Sequence, residues 1–145
     1  MAAILTPDLT PRLTRGAIAA LAGGVVFGLM MSMMDMIGMI GGLVGQMGNV
    51  PVSWVLHMVI SAIIGVGFGL VVPLDGASTG RLVAGGLVYG LVLWILGPLL
   101  IMPMLMGMGP QLSAAGMSAA MPSLVGHLVF GAVTALAWDW LARRG

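Results

Sequence analysis

Cysteine is absent from this chain, and so are lysine and glutamate. Without cysteine there are no disulfides, thiolate metal centres or thiol nucleophiles, and any metal would have to be held by His, Met or Asp. The whole ionic inventory is Arg12, Arg15, Arg81, Arg143, Arg144, Asp8, Asp35, Asp75 and Asp139. Charged residues make up 6% of the chain, against about 25% in soluble domains, while 60% of it is hydrophobic and the mean hydropathy is +1.17. Such a composition belongs in a lipid bilayer. A net charge of +1 gives no basic surface for nucleic acid. A Gly-rich phosphate loop, an HExxH pair and a Ser-His-acid set are also missing, so the residues carry no enzyme signature. No ionisable group falls near a helix midpoint, where ion-coupled transporters place one.

Four apolar stretches are present, near 16–38, 52–72, 82–103 and 122–142. Each is long enough for a hydrocarbon core of about 30 Å, which takes roughly 20 helical residues. The expected class is all-α, a four-transmembrane-helix bundle. Residues 1–15 read as an N-terminal cytoplasmic arm, 16–72 as a first transmembrane hairpin, 73–80 as a cytoplasmic connection and 81–145 as a second hairpin. All five arginines fall on one side of this arrangement, and short basic segments stay preferentially in the cytoplasm, so both termini are expected inside. Trp54 marks the outer interface and Trp138 with Trp140 the inner one.

The two halves repeat. Residues 22–31, AGGVVFGLMM, return as AGGLVYGLVL at 84–93, and each copy is followed by a segment carrying Ser-x-x-x-His, Ser53/His57 and then Ser123/His127. The offset is 62 residues in the first helices and 70 in the second. Two hairpins of equal orientation imply a parallel internal repeat about a pseudo-two-fold along the membrane normal. Pro51 and Pro122 suit first-turn positions, where a missing N–H costs nothing, and would open the second and fourth helices. Pro98 should kink the third. Small residues recur every fourth position, among them Gly24, Gly28, Gly65, Gly69, Gly86, Gly90 and Gly131. In lipid such rows let helix backbones approach closely and drive association.

His57 and His127 are the only histidines, and the repeat makes them equivalent. Two imidazoles on symmetry-related helices could ligate one iron or copper; alternatively each ring hydrogen-bonds a neighbouring helix or a serine one turn earlier. Methionine adds a second signal. Apart from Met1, every Met falls in the outer half, and the runs MMSMMDM and MPMLMGM bring sulfurs such as Met34 and Met104 into play. Soft thioethers with His favour Cu(I), whereas Met is equally an adaptable apolar filler. Asp35, the one outer acid, could orient the His57 ring or simply face water.

One His on each of two alternate helices, with Gly on the others, resembles the membrane b-type cytochromes, which implies haem b at His57 and His127. The chain departs from that pattern in having one His per ligating helix and no outer Arg or Lys to meet propionates. The paired hairpins and the third-helix run GGLVYGLVLWILGPLLIMP also make nearly the whole chain similar to small four-helix bacterial inner-membrane proteins of uncharacterised function. That likeness implies topology and a place in the bacterial inner membrane. Two functional readings stand side by side. One is a scaffold or accessory subunit that associates with other membrane protein subunits, or as a homo-oligomer, through Gly-rich faces; the other is a cofactor protein binding haem b or Cu(I).

Overall fold

In the computed structural model, residues 9–72 and 76–144 are described, and among them every regular element is helical. The order is α1 (Leu9–Met33), a 3-10 helix (Ile37–Val44), α2 (Val50–Val71), α3 (Thr79–Trp94), a π-helical segment (Ile95–Ile101), α4 (Met102–Leu105) and α5 (Ala114–Ala142). The segments from Thr79 to Leu105 form one span, so among the described residues four helices are long and apolar enough to cross a bilayer. This is the pattern of a multi-pass membrane protein.

Local chemistry explains the boundaries, and it moves several of them from where sequence reading puts them. The first helix is already under way at Leu9, the first described residue, instead of beginning near 16. Residues 9–15 are therefore helical and not an extended arm; the rest of that arm lies outside the described residues, as does part of the 73–80 connection. The helix ends at Met33 and not near 38: Asp35 adopts a left-handed backbone (φ 56°), and the chain turns into the 3-10 helix. Asn49 caps α2 by accepting from the Val52 N–H at 3.2 Å, with Pro51 in the first turn as expected.

Pro122 does not open the fourth helix. Ser113 caps it instead, accepting from the Gly116 N–H at 3.1 Å, and the Ala-rich stretch after it is a good helix former, so Pro122 falls inside α5. At about 1.5 Å per residue, α5 begins roughly 12 Å before Pro122. Pro98 is absorbed by the π-helical segment, in which the Met102 N–H reaches back to the Gly97 carbonyl. A widened turn is a recognised response to an interrupted ladder.

The helices pack in the spatial order α2–α1–α5–α3, with α1·α2, α3·α5 and α1·α5 as the extensive interfaces. Small residues set all three. Between α1 and α2, Gly16 lies against the Gly65 carbonyl, Gly65 against Ala20, Gly24 against Ser61, and Gly28 against the rings of Trp54 and His57. Between α3 and α5, Gly86 meets the Gly131 carbonyl and Gly90 the His127 carbonyl. Between α1 and α5, Gly23 lies against Phe130 and Thr134, and Gly126 receives the Phe27 ring. By contrast, α2 and α3 touch mainly through Tyr89, which donates to the Ile64 carbonyl at 2.7 Å and meets Phe68 edge-on. The arginine-bearing end is tied by Thr79, whose hydroxyl donates to Asp139 at 2.8 Å, while Arg143 pairs with Asp139 at 3.1 Å.

Candidate functional site

The two histidines meet around one phenylalanine. Phe27, 6% exposed, stands edge-on to His57 at 5.6 Å between ring centroids and to His127 at 4.8 Å. It can sit there because Gly126 offers no side chain: a Cβ at Gly126 would overlap the Phe27 ring. Trp54, one turn before His57, completes the cluster at 6.1 Å and fills the notch left by Gly28. The interior at this level is a packed aromatic group, with Met31, Ile37, Ile40 and Phe130 buried beside it.

Each imidazole has its hydrogen bond. His57 Nε2 lies 2.8 Å from the Gly24 carbonyl of α1, and because a carbonyl only accepts, that nitrogen carries the hydrogen. His127 Nδ1 lies 2.7 Å from the carbonyl of Ser123, one turn earlier on its own helix, and by the same argument carries its hydrogen there. The two rings thus take opposite tautomers when neutral. Of the alternatives left open by the sequence, His57 bonds a neighbouring helix and His127 a serine's backbone. The serine hydroxyls act elsewhere. Ser53 Oγ accepts from the Gly41 N–H at 2.9 Å and donates to the Gly38 carbonyl, pinning the 3-10 helix over the N-terminal end of α2, and Ser123 donates to the Ala120 carbonyl at 2.8 Å. Asp35 is exposed in its turn and does not hold the His57 ring, which the Gly24 carbonyl orients.

The methionines divide between the surface and the buried cluster. Met34 and Met104 are exposed, 41% and 58%, whereas Met30, Met31, Met36 and Met102 pack in or against the buried cluster. Among the described residues, no group of three or more His, Cys, Asp or Glu converges on a point. A porphyrin between the two rings would need the volume that Phe27 fills. Sequence reading missed this wedge, although its signal was present: the repeat that aligns His57 with His127 also aligns Leu56 with Gly126.

No protein-family model, curated protein or solved structure matches this chain. Function must therefore be argued from the residues themselves. A closed aromatic centre with internally bonded polar groups can hold helices at fixed distances, and it leaves the helix faces between the glycine rows to whatever lies outside.

Proposed function

We propose that the chain is a scaffold or accessory subunit of the bacterial inner membrane, with both termini cytoplasmic, that associates with other membrane protein subunits or with copies of itself. The observation that carries this reading is the combination of a filled interior with an unfilled exterior. At the core, Phe27, His57 and His127 leave no chamber between them, and both rings are bonded to backbone carbonyls. On the outside, less than a third of the residues in the α2, α3 and α5 spans are buried within the chain. The glycine rows expected to form the partner surface are used internally, since Gly24, Gly28, Gly65, Gly69, Gly86, Gly90 and Gly131 all face residues of this same chain. A partner would therefore meet the large apolar side chains between them, such as Val55, Val59 and Ile63 on α2 or Val88 and Val92 on α3.

Two further points complete the reading. The inside placement of the termini is supported by Arg12, Arg15, Arg81, Arg143 and Arg144 lying at one end of the bundle, as short basic segments do on the cytoplasmic side. A tandem origin for the hairpins 16–72 and 81–145 is supported by their contact register: Gly24 faces Ser61 and Gly28 faces His57 in the first, while Gly86 faces Gly131 and Gly90 faces His127 in the second, at the offsets of 62 and 70 that the sequence repeat sets. The hairpins then differ in one decisive place. Gly126 admits Phe27 and joins α1 to α5; at the corresponding point of α2, Leu56 leaves no such notch for Tyr89, so α2 and α3 diverge.

Extraction of the protein from its native membrane in a mild detergent, followed by native mass spectrometry, tests the assignment. A mass above that of one 14.8 kDa chain, from a second polypeptide or a second copy, is expected. A chain recovered solely as a monomer would refute it.

A further inference from the structure

At the arginine-bearing end, the first turns of α1 and the last turn of α5 leave a groove of about 360 Å³ between them, lined by Thr10, Pro11, Thr14, Arg15, Ile18 and Leu141. Its lining divides into two parts. Thr10, Thr14 and Arg15 supply polar groups, while Ile18, half exposed, and Leu141 continue the groove as an apolar track along the helices. The guanidinium of Arg15 lies 5.3 Å from the centre of the Trp138 ring, which holds the charge at the wall of the groove without neutralising it. Arg144 stacks in the same way on Trp140 at 4.0 Å. Tryptophans at this position mark the level of lipid head groups.

The one carboxylate at this end among the described residues, Asp139, is engaged by Thr79 and Arg143, while Arg15 lies over the Trp138 ring at the groove wall. A guanidinium presents paired N–H donors suited to phosphate oxygens, and basic pockets between transmembrane helices at the cytoplasmic side suit anionic lipid heads.

We propose that this groove binds an anionic phospholipid, with Arg15 on the phosphate, the Thr14 hydroxyl beside the head group and an acyl chain running along Ile18 and Leu141. The site rests on the chain being embedded in a bilayer, and it is independent of whether a protein partner is present. A lipid held there would bridge the antiparallel ends of α1 and α5, on the same pair of helices that Phe27 joins near the opposite end.

The test uses the full-length protein in zwitterionic detergent, titrated with dioleoylphosphatidylglycerol, dioleoylphosphatidylcholine or inorganic phosphate, and read by native mass spectrometry and thermal unfolding. Phosphatidylglycerol is expected to remain bound and to raise the unfolding temperature, with phosphatidylcholine retained far less. Arg15→Gln should lower phosphatidylglycerol retention by roughly tenfold, the scale of one lost charge-assisted contact. Thr14→Trp, which fills the groove without altering charge, should lower it too, whereas Arg81→Gln, an equal loss of charge away from the groove, should not. Equal retention of the two lipids by the wild type, or an equal loss in Arg81→Gln and Arg15→Gln, would overturn the proposal. Stabilisation by inorganic phosphate as large as that by phosphatidylglycerol would overturn the lipid assignment in favour of free phosphate. Neither result bears on the mass test for a protein partner.

Discussion

Replacing Gly126 by alanine adds one methyl group, and the structure says where it goes: into the Phe27 ring, overlapping its near edge and lying 2.8 Å from Cζ. Carbon atoms in contact sit about 3.5–4.0 Å apart. Phe27 has little room to retreat, because the rings of His57 and His127 stand against it at 5.6 and 4.8 Å. Either α5 moves away from α1 or Phe27 leaves its position, and overpacking of this kind costs about 1–3 kcal/mol. In a Phe27→Ala background the ring is gone, and the same methyl group enters vacated space, so Gly126→Ala should become nearly neutral there. The two substitutions should therefore couple by about 1–3 kcal/mol, within the range for residues in direct contact. Reversible unfolding in mixed micelles with increasing dodecyl sulfate, followed by tryptophan fluorescence, measures all four corners of this cycle. Effects that add to within about 0.5 kcal/mol would refute the Phe27 wedge as the joint between the hairpins.

Two other substitutions probe neighbouring parts of the bundle. Ser53→Ala removes the acceptor for the buried Gly41 N–H and should destabilise the 3-10 helix by about 1–3 kcal/mol, seen as faster amide exchange confined to residues 37–44; unchanged exchange there would contradict the pinning role. Glycines should differ in sign by position: Gly80→Ala, with nothing near the added carbon, is expected to raise stability by about 0.5 kcal/mol, whereas Gly86→Ala, which meets the Gly131 carbonyl, should lower it in the same unfolding assay.

How far the sequence revealed this fold depended on whether the deciding interaction was local. Hydropathy alone locates the four spans, since roughly 20 apolar residues in a row have few other uses. Pro51 could be placed because a first-turn proline is a local feature. Pro122 looked the same, yet Ser113 and the Ala-rich stretch after it had already started α5, and choosing between two valid start signals requires the loop before them. The 3-10 helix could not be read from IGMIGGLV, because the group that fixes it, Ser53, is a dozen residues away from Gly41 on α2. The matching Ser-x-x-x-His segments align His57 with His127 in sequence, but their bonding was not legible: a helix of either kind offers both a neighbouring carbonyl and its own i−4 carbonyl. The Phe27 wedge depends on one position, Gly126, which aligns in sequence with Leu56, and only the observed contact with Phe27 gives that difference its meaning.

The closed centre is tested most directly by nitrogen NMR of protein labelled with 15N at its two histidines. The expected spectrum shows one ring with its hydrogen on Nε2, from His57 at the Gly24 carbonyl, and one with its hydrogen on Nδ1, from His127 at the Ser123 carbonyl. Two rings of the same tautomer, or a ring nitrogen shifted by a bound metal, would contradict it.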